Sequence, residues 1–217
     1  MKSLWIKELR LWASPLVWIF LSAALMTLLP GYPILMGSFF LCFGIFHCFQ
    51  SGREQGDTLY SVLLPVAKRD VVRSKYRFTA AIQALGFLLT AGLTILRMTA
   101  LSGAVVYQQN ALMNATPCFL AFELLVFTAF NVCFLGGFFR DGYRIGIPFI
   151  TFGVATLVII LVGETLHHLP HLSFLHAPEG QRLGLQCGIF AAAAIVYAAA
   201  TILSCRASMR RFEQLDL

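Results

Sequence analysis

The chain has 217 residues, 59% of them hydrophobic and only 12% charged, about half the charged share of an average soluble domain. A soluble fold of this size cannot hide so much apolar surface, which excludes a water-soluble globular protein and points to membrane-spanning helices. The net charge of +6 lies at the ends of apolar runs rather than on a polar surface, so nucleic acid is not the expected partner.

Residues 1–13, "MKSLWIKELRLWA", put Leu4, Trp5, Leu9 and Trp12 on one helical face and Lys2, Lys7 and Arg10 elsewhere. Tryptophans beside basic residues predict a helix lying in the headgroup layer. Residues 14–50 hold two apolar runs, about 14–30 and 33–50, divided by the turn "PGYP". A re-entrant hairpin is the competing reading of this pair. The first run, "SPLVWIFLSAALMTLLPG", ends without a small-x-small site and is followed at once by more apolar sequence, so retention rather than cleavage is expected.

Residues 51–77 break the apolar pattern. In "GREQGDTLYSVLLP", Asp57 or Thr58 is positioned to cap a short helix whose Leu59, Val62 and Leu63 form an apolar stripe. Pro65 ends it. A second helix starts near Asp70, whose carboxylate suits the positive dipole end, and runs through "VVRSKYRF" into the next apolar run. The expectation is a cytoplasmic helix–break–helix.

Four more runs follow within 78–205, at about 78–101, 117–138, 145–166 and 183–205, before a tail at 206–217. With the N-terminus inside, six spans place all but Arg97 and Arg182 of the 16 basic residues on the cytoplasmic side. The expected fold is therefore an all-α integral membrane protein, one transmembrane domain over 1–217, in the plasma membrane with both termini cytoplasmic. The basic side can also lie on anionic headgroups.

"LYSVLLPVAKRDVVRSKY" resembles the loop of type-2 ABC exporter permeases through Leu59, Leu63, Leu64, Pro65, Val66, Arg69, Val71, Val72, Lys75 and Tyr76. Glu54, Gly56 and Thr58 resemble that family's acidic, glycine-containing lead-in, and "LWIKELRL" its interfacial elbow. The resemblance implies a coupling helix, carried by Leu59, Val62, Leu63, Leu64, Pro65, Val66 and Arg69, that seats in a groove of a separate ATPase. It further implies two ATPase copies, a second permease chain that is identical or homologous, and export of an amphipathic peptide, antimicrobial or other hydrophobic compound. No G-x-x-x-x-G-K-[ST] occurs, so no cofactor is expected in this chain; ATP and Mg2+ would bind the partner.

Ionisable residues inside spans are candidates for function because they are costly there unless paired. Arg97 and Glu123 sit at similar depth in consecutive runs, so an Arg97–Glu123 pair is geometrically reasonable, with helix packing as its default role. Glu164 leads "GETLHHLPHLSFLHAPEG", where Glu164, His168 and His171 make a conceivable metal site. The interleaved Leu166, Leu169, Leu172, Phe174 and Leu175 favour an amphipathic outer cap with no metal. Adjacent glycines in "VCFLGGFF" (132–139) permit close packing or a kink. "NAT" at 114–116 matches a glycosylation sequon. The six cysteines fall in or beside apolar runs and read as small hydrophobes. Two other readings are a membrane-embedded metal enzyme using the Glu164/His168/His171 cluster, and a non-transporting recruiter or immunity protein.

Overall fold

The computed structural model describes residues 6–8, 12–57, 60–61, 66–108, 110–141, 144–166, 168–169, 172–175 and 182–214, and among them there is no strand. Helix α1, Pro15–Leu21, starts where proline needs no donor, with the Ser14 Oγ accepting the Leu16 N–H at 3.3 Å. It tightens into a 3-10 helix over Ser22–Leu28. Seven residues at each pitch reach about 24 Å, so tightening lengthens a short apolar element.

A turn through Gly31, at φ 69°, reverses the chain into α2, Met36–Glu54. The two elements pack closely because α2 presents glycines to α1. A Cβ on Gly44 would lie 2.7 Å from the Phe20 Cβ, and one on Gly37 would lie 2.7 Å from the Ala23 carbonyl oxygen.

Helix α3, Lys68–Thr99, has 32 residues and a length of about 48 Å, well beyond the hydrocarbon thickness of about 30 Å. Asp70 lies in its first turn, and the basic loop does run unbroken into the next apolar run. Its buried side is a single stripe that includes Val72, Lys75, Tyr76, Thr79, Gln83, Gly86, Thr90 and Arg97. After the short α4, Val105–Gln108, the chain enters α5, Pro117–Ala129, capped by Thr116. A π-helical stretch, Phe130–Leu135, links α5 to α6, Gly136–Asp141. Helices α7, Gly146–Leu166, and α8, Leu183–Glu213, complete the bundle.

Four helices are long and apolar enough to cross a membrane: Lys68–Thr99, Pro117–Arg140, Gly146–Leu166 and Leu183–Glu213. They coincide with the third to sixth expected runs, although α8 continues well past residue 205. Pro15–Leu28 is apolar but shorter. Met36–Glu54 has the length, but His47, Gln50 and Arg53 dilute its hydropathy. The α5–α6 element is the central one, with 72% of its apolar window buried against 6% for α8.

Phenylalanine rings fill the space between α2, α5–α6 and α7. Phe46 stacks on Phe149 at 4.0 Å, and Phe130 meets Phe152 edge-on at 5.0 Å. Such ring pairs supply the packing that holds helices together where lipid offers no hydrophobic drive. The glycines of 132–139 serve close packing. Gly136 faces Ser204 and Gly137 faces Pro148, while the π-helical turn just before them supplies the distortion.

Candidate coupling site

Lys75 lies on the buried stripe of α3, two turns from its start, and is only 3% exposed. Its ammonium donates to Glu8 Oε2 at 2.6 Å and to Asp57 Oδ2 at 2.7 Å. It also sits 3.5 Å above the Trp12 ring. Lys7 Nζ closes the cluster from the other side, 2.5 Å from Asp57 Oδ1, and donates to the Ser61 Oγ. Ser61 in turn donates to the Asp57 carbonyl at 2.7 Å. Two ammonium groups and two carboxylates thus pair with no net charge. They join the N-terminal helical residues, the loop after α2 and the start of α3.

The two carboxyls feel this site differently. Burial pushes the Glu8 carboxyl above its ordinary value, a rise that the Lys75 ammonium offsets only in part. Burial also acts to raise Asp57, but Lys75 and Lys7 together outweigh it and hold this carboxyl below its ordinary value. Asp57 therefore spends its side chain on lysines rather than on the helix cap that the sequence suggests.

Trp12 corrects another expectation. It is buried, edge-on to Phe49 at 4.7 Å and to Phe78 at 4.9 Å, instead of lying against headgroups. Gly52 is what admits it, since a Cβ there would clash with the indole Nε1. The tryptophan is a packing wedge under the Lys75 ammonium.

Of the residues expected to contact an ATPase, Val66 is half-buried in the bend before α3 and Arg69 is exposed in its first turn. Leu59, Val62, Leu63, Leu64 and Pro65 lie outside the described residues. What the structure adds is the anchoring of that segment's flanks. Gly56, at φ 66°, turns the chain out of α2, and Asp57 and Ser61 fasten it to Lys7 and Lys75.

Arg97 and Glu123 do not pair. Arg97 turns to the C-terminal end of the 3-10 helix, where unsatisfied carbonyls are available. It donates to the Thr27 carbonyl at 2.5 Å and to Asn114 Oδ1 at 2.9 Å, and stacks on Tyr107 at 4.1 Å. Asn114 is thus buried as an arginine acceptor, which removes the sequon from consideration as a glycan site. Glu123 faces a small cavity lined also by Thr27, Ser38 and Thr90. Glu164 accepts the Met113 N–H at 2.8 Å, tying the top of α7 to the segment before α5. His171 lies outside the described residues, and among those described no three potential metal ligands gather.

A second polar layer escaped the sequence reading. Gln83 and Asn131 exchange two hydrogen bonds, at 3.0 and 3.1 Å, between α3 and the π-helical turn. Thr201 and Tyr197 of α8 complete the group. One layer nearer the basic side, the Tyr76 hydroxyl bonds with Ser204 and Ser208, while Ser204 donates to the Asn131 carbonyl at 2.8 Å. Uncharged amides inside apolar runs were the available signal. For Lys75 it was register, since the residue shares a face with Val72 and Thr79.

Described residues that include no strand and four long apolar helices, with polar side chains bonded across helices at Gln83–Asn131 and Tyr76–Ser204, mark a multi-pass membrane protein. A family model described as "ABC-2 family transporter protein" matches residues 3–213, and the chain belongs to that family. It is an ABC-2 type permease, the membrane component of a transporter. No curated protein and no solved structure matches it.

Proposed function

We propose that this permease is driven by a separate ATPase acting on residues 57–70, and that it exports an amphipathic or hydrophobic compound. The observation that carries the reading is the double engagement of Lys75 by Glu8 and Asp57. A push on the loop at Asp57 is delivered directly to α3 through Lys75, and to the N-terminal helix through Lys7 and Glu8. A buried, charge-balanced junction suits such transmission because its geometry is fixed by several bonds at once.

In this reading the chain crosses the membrane six times, with Pro15–Leu28 and Met36–Glu54 as the first two spans and both termini cytoplasmic. The distribution of lysine and arginine supports that orientation. Residues 1–13 act as an interfacial elbow, and Leu59, Val62, Leu63, Leu64, Pro65, Val66 and Arg69 form the ATPase contact. Two ATPase copies, each binding ATP and Mg2+, act on a pair of permease chains. The path opens between those chains. An amphipathic peptide or antimicrobial is the substrate class suggested by the likeness to short exporter permeases.

Co-purification with a candidate ABC ATPase produced in the same cells tests the reading. The wild-type chain should retain the ATPase, and Leu63→Asp with Val66→Asp should lose it while keeping the same size-exclusion profile. A folded double variant that still holds the ATPase would overturn the placement of the contact.

A further inference from the structure

We propose that the cavity enclosed by the 3-10 helix, α2, α3 and α5 binds one internal water molecule, held by Glu123, Ser38 and Thr90. The cavity has a volume of about 10 Å3, and its described lining residues other than Ala23 are all buried. By that measure it has the room that a single water molecule needs. Its polar wall draws on four elements: Thr27 from the 3-10 helix, Ser38 from α2, Thr90 from α3 and Glu123 from α5. Ile34, Leu41 and Phe119 supply the apolar remainder.

Glu123 and Ser38 are 2% and 4% exposed, and Glu123 Oε2 and Ser38 Oγ have no hydrogen-bond partner among the described residues. They line one cavity without bonding to each other, so a small polar molecule fits between them. Leaving both atoms unpaired is costly, above all in a bundle surrounded by lipid. Thr90 donates its hydroxyl to the Gly86 carbonyl at 3.0 Å, which leaves its oxygen able to accept. A water among the three completes the set: it accepts from Ser38 and donates to Glu123 Oε2 and Thr90 Oγ1. About three such bonds are the usual complement of a buried water. Charge decides against other small ligands. The Arg97 guanidinium donates to the carbonyl of Thr27 in the cavity wall, so a cation would enter beside a positive charge. An anion would meet the Glu123 carboxyl. The bound water ties α5 to α2 and α3, and gives Glu123 the partner that Arg97 does not supply.

The test is X-ray radiolysis of the full chain in detergent, read by mass spectrometry of the oxidised side chains. Radicals formed from a bound water oxidise the residues beside it, even where bulk water does not reach. Phe119 lines the cavity, whereas Phe49 and Phe134 are as deeply buried and do not line it. Phe119 should therefore be oxidised several-fold more than Phe49 and Phe134. Ser38→Ala with Glu123→Met should bring Phe119 down to their level, and unchanged Phe119 oxidation in that folded variant would overturn the proposal. If the double variant does not fold, the wild type alone decides: Phe119 oxidised no more than Phe49 and Phe134 would overturn it. A wild-type melting temperature that rises in sodium chloride over choline chloride at equal ionic strength, with the rise lost in Glu123→Gln, would also overturn it by placing a cation in the cavity.

Discussion

Lys75 and Asp57 lie 2.7 Å apart across a chain separation of 18 residues, and the segment between them is the one expected to meet the ATPase. The loop therefore closes on a buried ion pair rather than hanging free of the bundle. Lys75→Met keeps the aliphatic stem and removes the charge, leaving Glu8 without its closest partner. Breaking a buried pair from one side costs about 3–5 kcal/mol. We expect the single variant to unfold at a clearly lower temperature in detergent. Adding Glu8→Gln should recover more than half of the loss, because Lys7 still answers Asp57. A double variant no more stable than the single one would show that electrostatic pairing is not what holds the cluster.

Acid should act on this cluster through Asp57. Its carboxyl is held below the ordinary 3.8, so its contribution is present above that value and is lost as pH falls through the lower, folded value. Glu8 has the opposite sign. Its raised value means the folded state binds that proton more readily, so its protonation on acidification does not weaken the fold. The melting temperature should accordingly show no loss from this cluster between pH 7 and 5, and a loss below the ordinary Asp range. Asp57→Asn should remove that acid limb. An unchanged acid limb in the variant would assign it elsewhere.

The runs behind α5 and α7 were legible because they are long, mainly apolar and bounded by Pro117, Arg140 and Leu166. Charge reads as an expected orientation, and for the same reason Lys75 is hidden: it belongs to a basic run, and hydropathy does not report which way a side chain faces. Only the helical register, shared with Val72 and Thr79, reveals it as buried. The first apolar run could not show its 3-10 half, since Ser22–Leu28 has no sequence mark of the tighter pitch. Arg97 and Glu123 matched in depth, but depth leaves rotation about the helix axis undetermined, and Arg97 found Thr27 and Asn114 instead.

That separation has a direct consequence for mutagenesis. Arg97→Gln should cost about 2 kcal/mol, because the buried Thr27 carbonyl and Asn114 Oδ1 both lose their charged bond to the guanidinium. Glu123→Gln should be additive with it to within about 0.5 kcal/mol, since no bond joins the two side chains and they meet only at Thr27, which borders the Glu123 cavity. A double-mutant cycle in detergent measures this. A coupling well above that figure would restore the pair.

The Gln83–Asn131 bond joins α3 to the π-helical turn, and its worth should be modest. Interhelical hydrogen bonds in membranes average about 0.6 kcal/mol, because unfolded chains in lipid also find partners. Gln83→Leu alone should cost more than this, since it takes the donor from Asn131 Oδ1, leaves the Asn131 amide only Thr201, and removes the Tyr197 acceptor as well. Adding Asn131→Leu should bring back part of the loss. The unfolding of both variants, compared with wild type, checks the order.

Stability and transmission can be separated at the junction itself. Replacing Lys75 and Glu8 by methionine exchanges a buried ion pair for apolar packing of similar volume, which is often neutral or stabilising. Asp57 keeps Lys7, so the loop stays attached to the N-terminal helix but is no longer bonded to α3. If motion reaches α3 through the Asp57–Lys75 bond, this variant should fold, retain the ATPase and hydrolyse ATP, yet lose substrate transport in proteoliposomes about tenfold, within the ordinary range of coupling energies. Wild-type transport from a stable Lys75→Met, Glu8→Met variant would mean that the cluster only holds the fold together and that motion reaches α3 by another contact.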